Sequence, residues 1–353
     1  IIFIKPANSS FIISDQKILE KHYTVLPFLL NQSASKINYF LSLTKLTFFL
    51  LSNASKADAF VCWFGDYHSA IMVLIAQLKN INTIIFAGGQ ESICYKDLGK
   101  GVYLKKLRGW SVKYALRNAT LILPNHSSLI YHENYFYDSK HPHIDGIKHY
   151  VKKIKGNIIV VPNGIDFSRI DRNPEIVKIS NLVLTVGTMN KEADFYNKGF
   201  DLFIALAKMN PDKNFVLIGT NKNYKSWIEE KFIVSEITNL KIIPSYCPNE
   251  ILNNYFNEAK VYLQISITEG MPVSLGEAML CECVPVGSNV NGIPDAIGNT
   301  GIIVKNRDIN ELNCAMQQAF TLKTGIDARN RIINLFSLAK REQNIISILS
   351  KNI

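Results

Sequence analysis

Short apolar runs rich in β-branched residues alternate with stretches of helical length along the whole chain. Such runs are typical of strands buried on both faces, and the helical intervals are long enough to cross between parallel neighbours. The alternation restricts the chain to an α/β architecture with two parallel sheets. One group of predicted strands comprises Ile1–Ile4, Tyr23–Leu26, Ala59–Trp63, Thr83–Ala87, Thr120–Leu123 and Ile158–Val161. The other comprises Leu182–Val186, Asn214–Ile218, Leu240–Ile243, Val261–Ile265, Val284–Gly287 and Gly301–Val304. Gly199–Met209, Asn249–Asn257 and Ile309–Leu322 are among the predicted helices. Pro162-Asn163-Gly164-Ile165-Asp166 is turn-rich punctuation between the groups. The chain has 353 residues, enough for two full cores. The expected organisation is a domain over 1–163, a second over 164–335, and a terminal helix within 336–353 that packs back toward the first.

Hydrophobic content of 47% and charged content of 19% fit a soluble globular protein. The six cysteines form no C-x-x-C pair, which argues against a zinc or redox centre and fits free thiols in a reducing cytoplasm. Ile1–Ile4 is too short for the apolar core of a secretory signal. The longest apolar stretch, Tyr39 to Leu51, is too short to span a bilayer and is expected to be a core helix. The net charge of +10 is unevenly placed. Residues 1–163 hold 19 Lys and Arg against 9 Asp and Glu, whereas the remainder holds 20 of each. All seven histidines also lie in the first part. A basic half implies an anionic partner, such as a membrane surface, a phosphorylated lipid or nucleic acid.

The residues Glu269-Gly270-Met271-Pro272-Val273-Ser274-Leu275-Gly276-Glu277 carry the most chemistry. Glu269 falls in a loop after a predicted strand, and Glu277 about two turns into a helix that Pro272 can start as its first residue. Free backbone N–H groups and the positive helix end then lie between two acids, an arrangement suited to phosphate. A ligand with phosphate in the middle and hydroxyl-bearing sugars at both ends, a nucleotide sugar, fits this layout. Glu277 is expected to accept hydrogen bonds from a ribose. Glu269 would face the transferred sugar, with the amides of Gly270 and Met271 close to sugar or phosphate.

Ser266-Ile267-Thr268-Glu269-Gly270-Met271-Pro272, Gly276-Glu277-Ala278-Met279 and Asn291-Gly292-Ile293-Pro294-Asp295 together resemble the signature of group 1 (family 4) retaining glycosyltransferases. Val161–Asp166 resembles that family's interdomain turn. Val186-Gly187 with Lys198-Gly199-Phe200-Asp201 resembles the opening of its donor domain, and Phe215–Gly219 its next strand. The resemblance implies a GT-B fold, in which two Rossmann-like parallel-sheet domains face each other across a cleft. The first would bind acceptor and the second nucleotide sugar, which serves as donor substrate with no cofactor or metal required. It implies that Glu269 and Glu277 are the acidic pair and that Lys198 holds the donor diphosphate. Pro272, Val273, Gly187 and Thr188 would complete the donor site. The family usually places Arg where this chain has Thr188, and Lys191 is the nearby substitute. Leu280-Cys281-Glu282-Cys283 also departs from the family's pattern, with Glu282 expected to be exposed. Pro6–Ser10 replaces the usual Gly-rich loop.

Lys198 beside Gly199 would put a cation at a helix start, where a nearby anion is needed. Asp66-Tyr67-His68 follows a predicted strand at its carboxyl end, where α/β ligands bind, so His68 is a candidate to orient an acceptor. Gly88-Gly89-Gln90-Glu91 follows the next strand in the same way, with Gln90 or Glu91 as candidates for acceptor hydroxyls. Lys100–Arg117 is a basic amphipathic stretch that suits an anionic membrane or lipid pyrophosphate. His126, His132, His141, His143 and His149 have no helical spacing, and no metal site is assigned.

The resulting expectation is a cytoplasmic hexosyltransferase, peripheral at the inner face of the membrane, that moves sugar to a carbohydrate or lipid-linked carbohydrate in cell-surface polysaccharide or glycolipid assembly. Two other readings stay open: a nucleotide-sugar epimerase or hydrolase on the same scaffold, and a non-catalytic protein binding nucleic acid or membrane. Nucleic acid is disfavoured because no recognised binding motif accompanies the dispersed charge.

Overall fold

In the computed structural model, which describes residues 1–31, 35–244 and 247–353, the predicted alternation resolves into two parallel sheets. The chain divides into two compact units. Unit 1 comprises residues 1–132, 144–164 and 338–353, and unit 2 comprises 133–143 and 165–337.

In unit 1 the strands are β1 (Ile2–Lys5), β2 (Leu26–Leu29), β3 (Ala59–Trp63), β4 (Asn82–Ala87) and β5 (Leu121–Pro124). β6 (His132–Asn134) and β7 (His143–Asp145) form a separate two-stranded ribbon, and β8 (Asn157–Ile158) completes the sheet in the order β2-β1-β3-β4-β5-β8. Every pairing in this sheet is parallel. β3 is fully buried along its length, as expected of a central strand covered on both faces.

Most strand boundaries differ from the sequence reading by only one or two residues, but β9 (Ile179–Met189) runs three residues further at each end, and two others shift for evident reasons. β2 begins at Leu26 because Tyr23 caps the preceding helix, Ser10–His22, with its N–H bonded to Leu19 O at 2.9 Å. β8 shrinks to two residues, although Ile159 and Val161 still donate to Ile122 O and Pro124 O. The stretch Tyr39–Leu51 lies in helix Lys36–Asn53, which is not a core helix. Only Ser42, Leu46 and Leu50 of this helix are buried, and Ile37, Phe40, Leu41, Phe48 and Leu51 face outward.

Two apolar cores cover the sheet of unit 1. Helices Lys36–Asn53, Tyr67–Lys79 and Lys106–Asn118 contribute Leu46, Leu50, Met72, Val73, Val112 and Leu116 to one. Helices Ser10–His22 and Leu338–Leu349 contribute Ile12, Ile18, Leu19, Ile345 and Leu349 to the other. A buried ion pair fastens this second layer. Arg341 donates Nε and Nη2 to the Asp15 carboxylate at 2.6 and 2.7 Å. Trp63 Nε1 adds a third donor to Asp15 at 3.0 Å, and Arg341 Nη1 reaches Val161 O and Pro162 O. Both charges are almost fully withdrawn from water.

In unit 2 the strands are β9 (Ile179–Met189), β10 (Asn214–Thr220), β11 (Leu240–Pro244), β12 (Ala259–Gln264), β13 (Val284–Ser288) and β14 (Ile302–Val304). Their order is β11-β10-β9-β12-β13-β14, again all parallel. The chain steps outward from β9 to β11, returns to the other side of β9, and steps outward again to β14. This is the doubly wound order in which ligands bind beyond the carboxyl ends of the two strands at the reversal. Among the described residues, no helix is long and apolar enough to cross a membrane.

Removing one partner of a buried ion pair strands the other charge, at a cost of about 3–5 kcal/mol. Arg341→Ala is expected to lose about that much stability in urea unfolding, whereas exposed Lys340→Ala should change little.

Candidate active site

The carboxyl ends of β9 and β12, the strands at the reversal, carry most of the predicted site residues. Gly187 and Thr188 lie near the end of β9, and Glu269 to Val273 follow β12. Lys198 lies between helix Glu192–Asn197, which it caps, and helix Phe200–Met209. The cation is therefore two residues before the second helix begins. Gly199, at φ +70°, makes the turn between the two, and a Cβ there would meet Ile265 O at 2.3 Å. The turn swings the Lys198 side chain over Gly187, where an added Cβ would touch the lysine stem at 3.3 Å. Lys198 Nζ pairs with the Glu269 carboxylate, whose Oε1 also accepts from Ser266 Oγ at 3.3 Å. The anion that Lys198 needs is thus Glu269 itself, and both side chains are mostly buried.

The loop carrying Glu269 is held from three sides. Asn291 Oδ1 accepts from Glu269 N at 2.9 Å and from Thr268 Oγ1 at 3.1 Å. Asn197 Nδ2 donates to Thr268 O, and Ile267 N donates back to Asn197 O at 2.7 Å. Asn134, from the excursion of residues 133–143 into unit 2, donates to Ile267 O at 2.7 Å. All three asparagines are buried. Beneath the loop, Tyr262 and Ser274 donate to Gln264 Oε1, and Gln264 Nε2 donates to Ser266 Oγ at 2.9 Å, joining β12 to Glu269. Sequence reasoning missed these positioning residues. Asn291-Gly292 was visible as part of a motif, but Asn197 and Asn134 carry no local signal.

Pro272 is the N-cap of helix Val273–Leu280 and not its first residue, so Glu277 lies about one and a half turns in. Gly276 lets this helix press on Ile165, since a Cβ there would meet Ile165 Cδ1 at 2.6 Å. Gly270, Met271 and Pro272 are buried, while Val273 is partly exposed. Glu277 is only 8% exposed, and its carboxylate makes no hydrogen bond to the described residues. Burial pushes it up to about 7, with a smaller downward pull from Arg169 and a smaller upward push from Asp166. Thr188 and Lys191 are both exposed, with Lys191 capping helix Glu192–Asn197. Glu282, expected to be exposed, is half-buried and paired with Arg172 at 3.1 Å, in a turn where its φ is +63°.

In unit 1, His68 does not project from the end of β3. Helix Tyr67–Lys79 begins one residue earlier, capped by Asp66, and turns the imidazole inward. The ring is fully buried, and Nε2 bonds Trp63 O at 2.9 Å. Burial lowers its pKa, so the neutral ring prevails. Glu91 is likewise enclosed, with Oε1 accepting from Gly88 N at 2.8 Å, and burial raises it to about 7. Gln90 stays exposed. Arg108 grips Asp66 through two nitrogens at 2.6–3.1 Å. These two line a pocket of about 360 Å³ with Lys36, Tyr39, Tyr67 and Lys105. Among the described residues no cluster of three His, Cys, Asp or Glu could hold a metal ion.

Residues 166–335 match the family described as Glycosyl transferases group 1. The sucrose-phosphate synthase of Thermosynechococcus elongatus superposes with a TM-score of 0.75 at 14% identity, covering 99% of this chain and 98% of that one. HepE of Anabaena, solved in complex with UDP-glucose, gives 0.72 at 13% identity over 99% of both chains. A phosphatidylinositol N-acetylglucosaminyltransferase component from Arabidopsis thaliana is 21% identical over 196 residues, 53% of this chain and 43% of the relative. The chain's match thus spans less than half of that relative. The fold is GT-B, and residues 166–335 form a group 1 glycosyltransferase domain.

Glu277 titrates higher in the folded chain than the 4.5 of an unperturbed carboxyl. A raised carboxyl favours the protonated native state, so it lowers stability as pH climbs from that value through about 7, with no further change above. Glu277→Gln removes this dependence. Relative to the parent, the variant is expected to gain about 2–3 kcal/mol between pH 5 and pH 8 in urea unfolding.

Proposed function

We propose that this chain transfers a hexosyl group from a nucleoside diphosphate sugar to a carbohydrate or lipid-linked carbohydrate, with retained anomeric configuration. The observation that carries the reading is the meeting of Lys198 and Glu269 at the strand reversal, next to the helix that bears the unpaired Glu277. Binding of UDP-glucose by the structurally similar HepE supports the donor class.

In this reading the ribose diol donates to Glu277, which must be ionised to accept both hydrogen bonds at full strength. The diphosphate lies at the start of helix Val273–Leu280, near the Gly270 and Met271 amides and Lys198. Lys198 leans from Glu269 toward phosphate, and Glu269 is then free to orient the sugar hydroxyls. The bond between the anomeric carbon and the phosphate oxygen breaks, and the acceptor oxygen bonds to that carbon on the same face. The acceptor's proton passes to the departing phosphate. Lys198 and the helix end stabilise the charge developing on that group, and the site calls on no metal or cofactor. His68 is not needed for any of these steps.

Unit 1 would supply the acceptor site. Its pocket at Lys36, Lys105 and Arg108 suits an acceptor bearing phosphate or pyrophosphate. Work in the cytoplasm at an anionic membrane, toward cell-surface polysaccharide or glycolipid, belongs to the same reading.

A thermal-shift panel of nucleotide sugars tests donor binding, because selective binding raises the midpoint. One donor should stabilise the parent, and Glu277→Ala should weaken it about 100-fold, as two charge-assisted hydrogen bonds are lost. Equal binding by the variant would refute the ribose assignment. Affinity of the parent should also rise with pH through about 7, whereas Glu277→Gln should show a flat profile.

Turnover supplies a separate test. Lys198→Ala is expected to lower kcat about 100- to 1000-fold, the usual cost of one electrostatic contact to a developing anion. Chelator should leave the parent rate unchanged. Conversion of donor alone into an epimer would favour the epimerase instead.

A further inference from the structure

We propose that one helical face of unit 1 docks on an anionic lipid bilayer. The face is built by helices Lys36–Asn53, Tyr67–Lys79 and Lys106–Asn118, which share one core against the same side of the sheet. Tyr114 OH donates to Gln77 Oε1 at 2.6 Å across two of them.

Two independent properties set this face apart. The first is exposure. Eight large apolar side chains among the described residues are more than 60% exposed, and six of them sit here: Ile37, Phe40, Phe48, Leu78, Leu107 and Trp110. The other two, Val177 and Ile326, are in unit 2. Scattered single exposures need no explanation, but six strongly exposed apolar side chains gathered on three neighbouring helices mark an interaction surface. The second property is charge. The three helices contain no Asp or Glu, yet they carry Lys36, Lys45, Lys79, Lys106, Arg108, Lys113 and Arg117. The helices on the opposite side of the sheet, Ser10–His22 and Leu338–Leu349, carry Asp15, Glu20 and Glu342 and expose no large apolar side chain.

Together these properties select the occupant. Apart from Asp66, which caps one helix and pairs with Arg108, the face is basic, so a second copy would set like charge against like, which disfavours such a self-complementary interface. A bilayer containing acidic lipid accepts both components. Phe40, Phe48 and Trp110 can enter the headgroup and acyl boundary while lysines meet lipid phosphates. Among the described residues no helix is long and apolar enough to cross a membrane, and the proposed contact is with the bilayer surface. The face follows from exposure and charge and does not depend on the transferase reading. Lys36 and Arg108 also line the unit 1 pocket, which therefore opens at the margin of the docked face.

Co-sedimentation of the full chain with vesicles, without donor, tests this. The parent should pellet with vesicles containing one third phosphatidylglycerol, release at high salt, and stay in solution with phosphatidylcholine alone. Lys45 and Lys106 are exposed and lie outside the pocket. Each charge removed should lower partitioning about fivefold, so K45E/K106E should lose at least about 25-fold. A triple variant, F40S/F48S/W110S, alters only exposed positions and should keep its thermal midpoint while losing more than tenfold in partitioning. Failure of the parent to bind acidic vesicles at low salt, or unchanged binding by both variants, overturns the proposal. So does a concentration-dependent dimer that the triple variant abolishes, because the face would then belong to a second copy. Loss of vesicle binding with intact donor-induced stabilisation separates failure here from failure of the transferase reading.

Discussion

The strand reversal in unit 2 constrains everything around it. Helices that pack on one side of β9 and those that pack beside β12 diverge from the point where these strands meet, so backbone and side chains beyond that point are left facing space. Gly187, Lys198 and the loop Ser266–Met271 all belong to this point. The close approach of β9 and β10 there depends on glycine twice. A Cβ on Gly219, at φ +118°, would collide with Gly187 O at 2.0 Å. The same closeness lets the Lys198 stem lie flat over the sheet end and reach Glu269, 71 residues away in the chain.

The fold was legible because parallel strands buried on both faces leave a strong apolar signature. The stretch that carries Glu269 and Glu277 could be singled out because its residues lie in contiguous motifs. Side-chain bonds to backbone have no such periodicity. Asn134, Asn197 and Asn291 hold the Glu269 loop, but only Asn291 lies in a recognisable motif, and nothing in the neighbourhoods of the other two distinguishes them from ordinary turn residues. His68 was misplaced by a single residue of helix start, which carried the ring from the strand end into the core. The stretch Tyr39–Leu51 was misread for a different reason. A helix apolar on most sides gives no moment to tell which face is inward, and only Ser42, Leu46 and Leu50 turned out to be enclosed.

Buried acids in this chain meet the cost of desolvation in different ways. Asp15 is matched by Arg341 and Trp63, and the contact is structural. Asp66 is matched by Arg108 and also caps a helix, at the edge of a pocket. Glu91 and Glu277 have no cation bonded to them, and burial instead lifts each to about 7. A charge without a partner shifts its titration before it tolerates a low-dielectric setting.

The two acids of the unit 2 motif therefore store their charge differently while no donor is bound. Glu269 is paired with Lys198, and the contact leaves neither side chain without a partner of opposite sign. Glu277 has no such partner, and near pH 7 its protonated and ionised forms are comparably populated. A ligand that brings hydroxyl donors to Glu277 and a diphosphate to Lys198 supplies what each lacks. Its diol favours ionisation of Glu277, and its negative charge gives Lys198 an alternative to Glu269. The proposed donor would thus convert a self-neutralised site into one with a carboxylate free to hold the sugar. An apolar ligand or an isolated phosphate supplies at most one of these two changes, and this sets a physical basis for selecting a molecule that carries both.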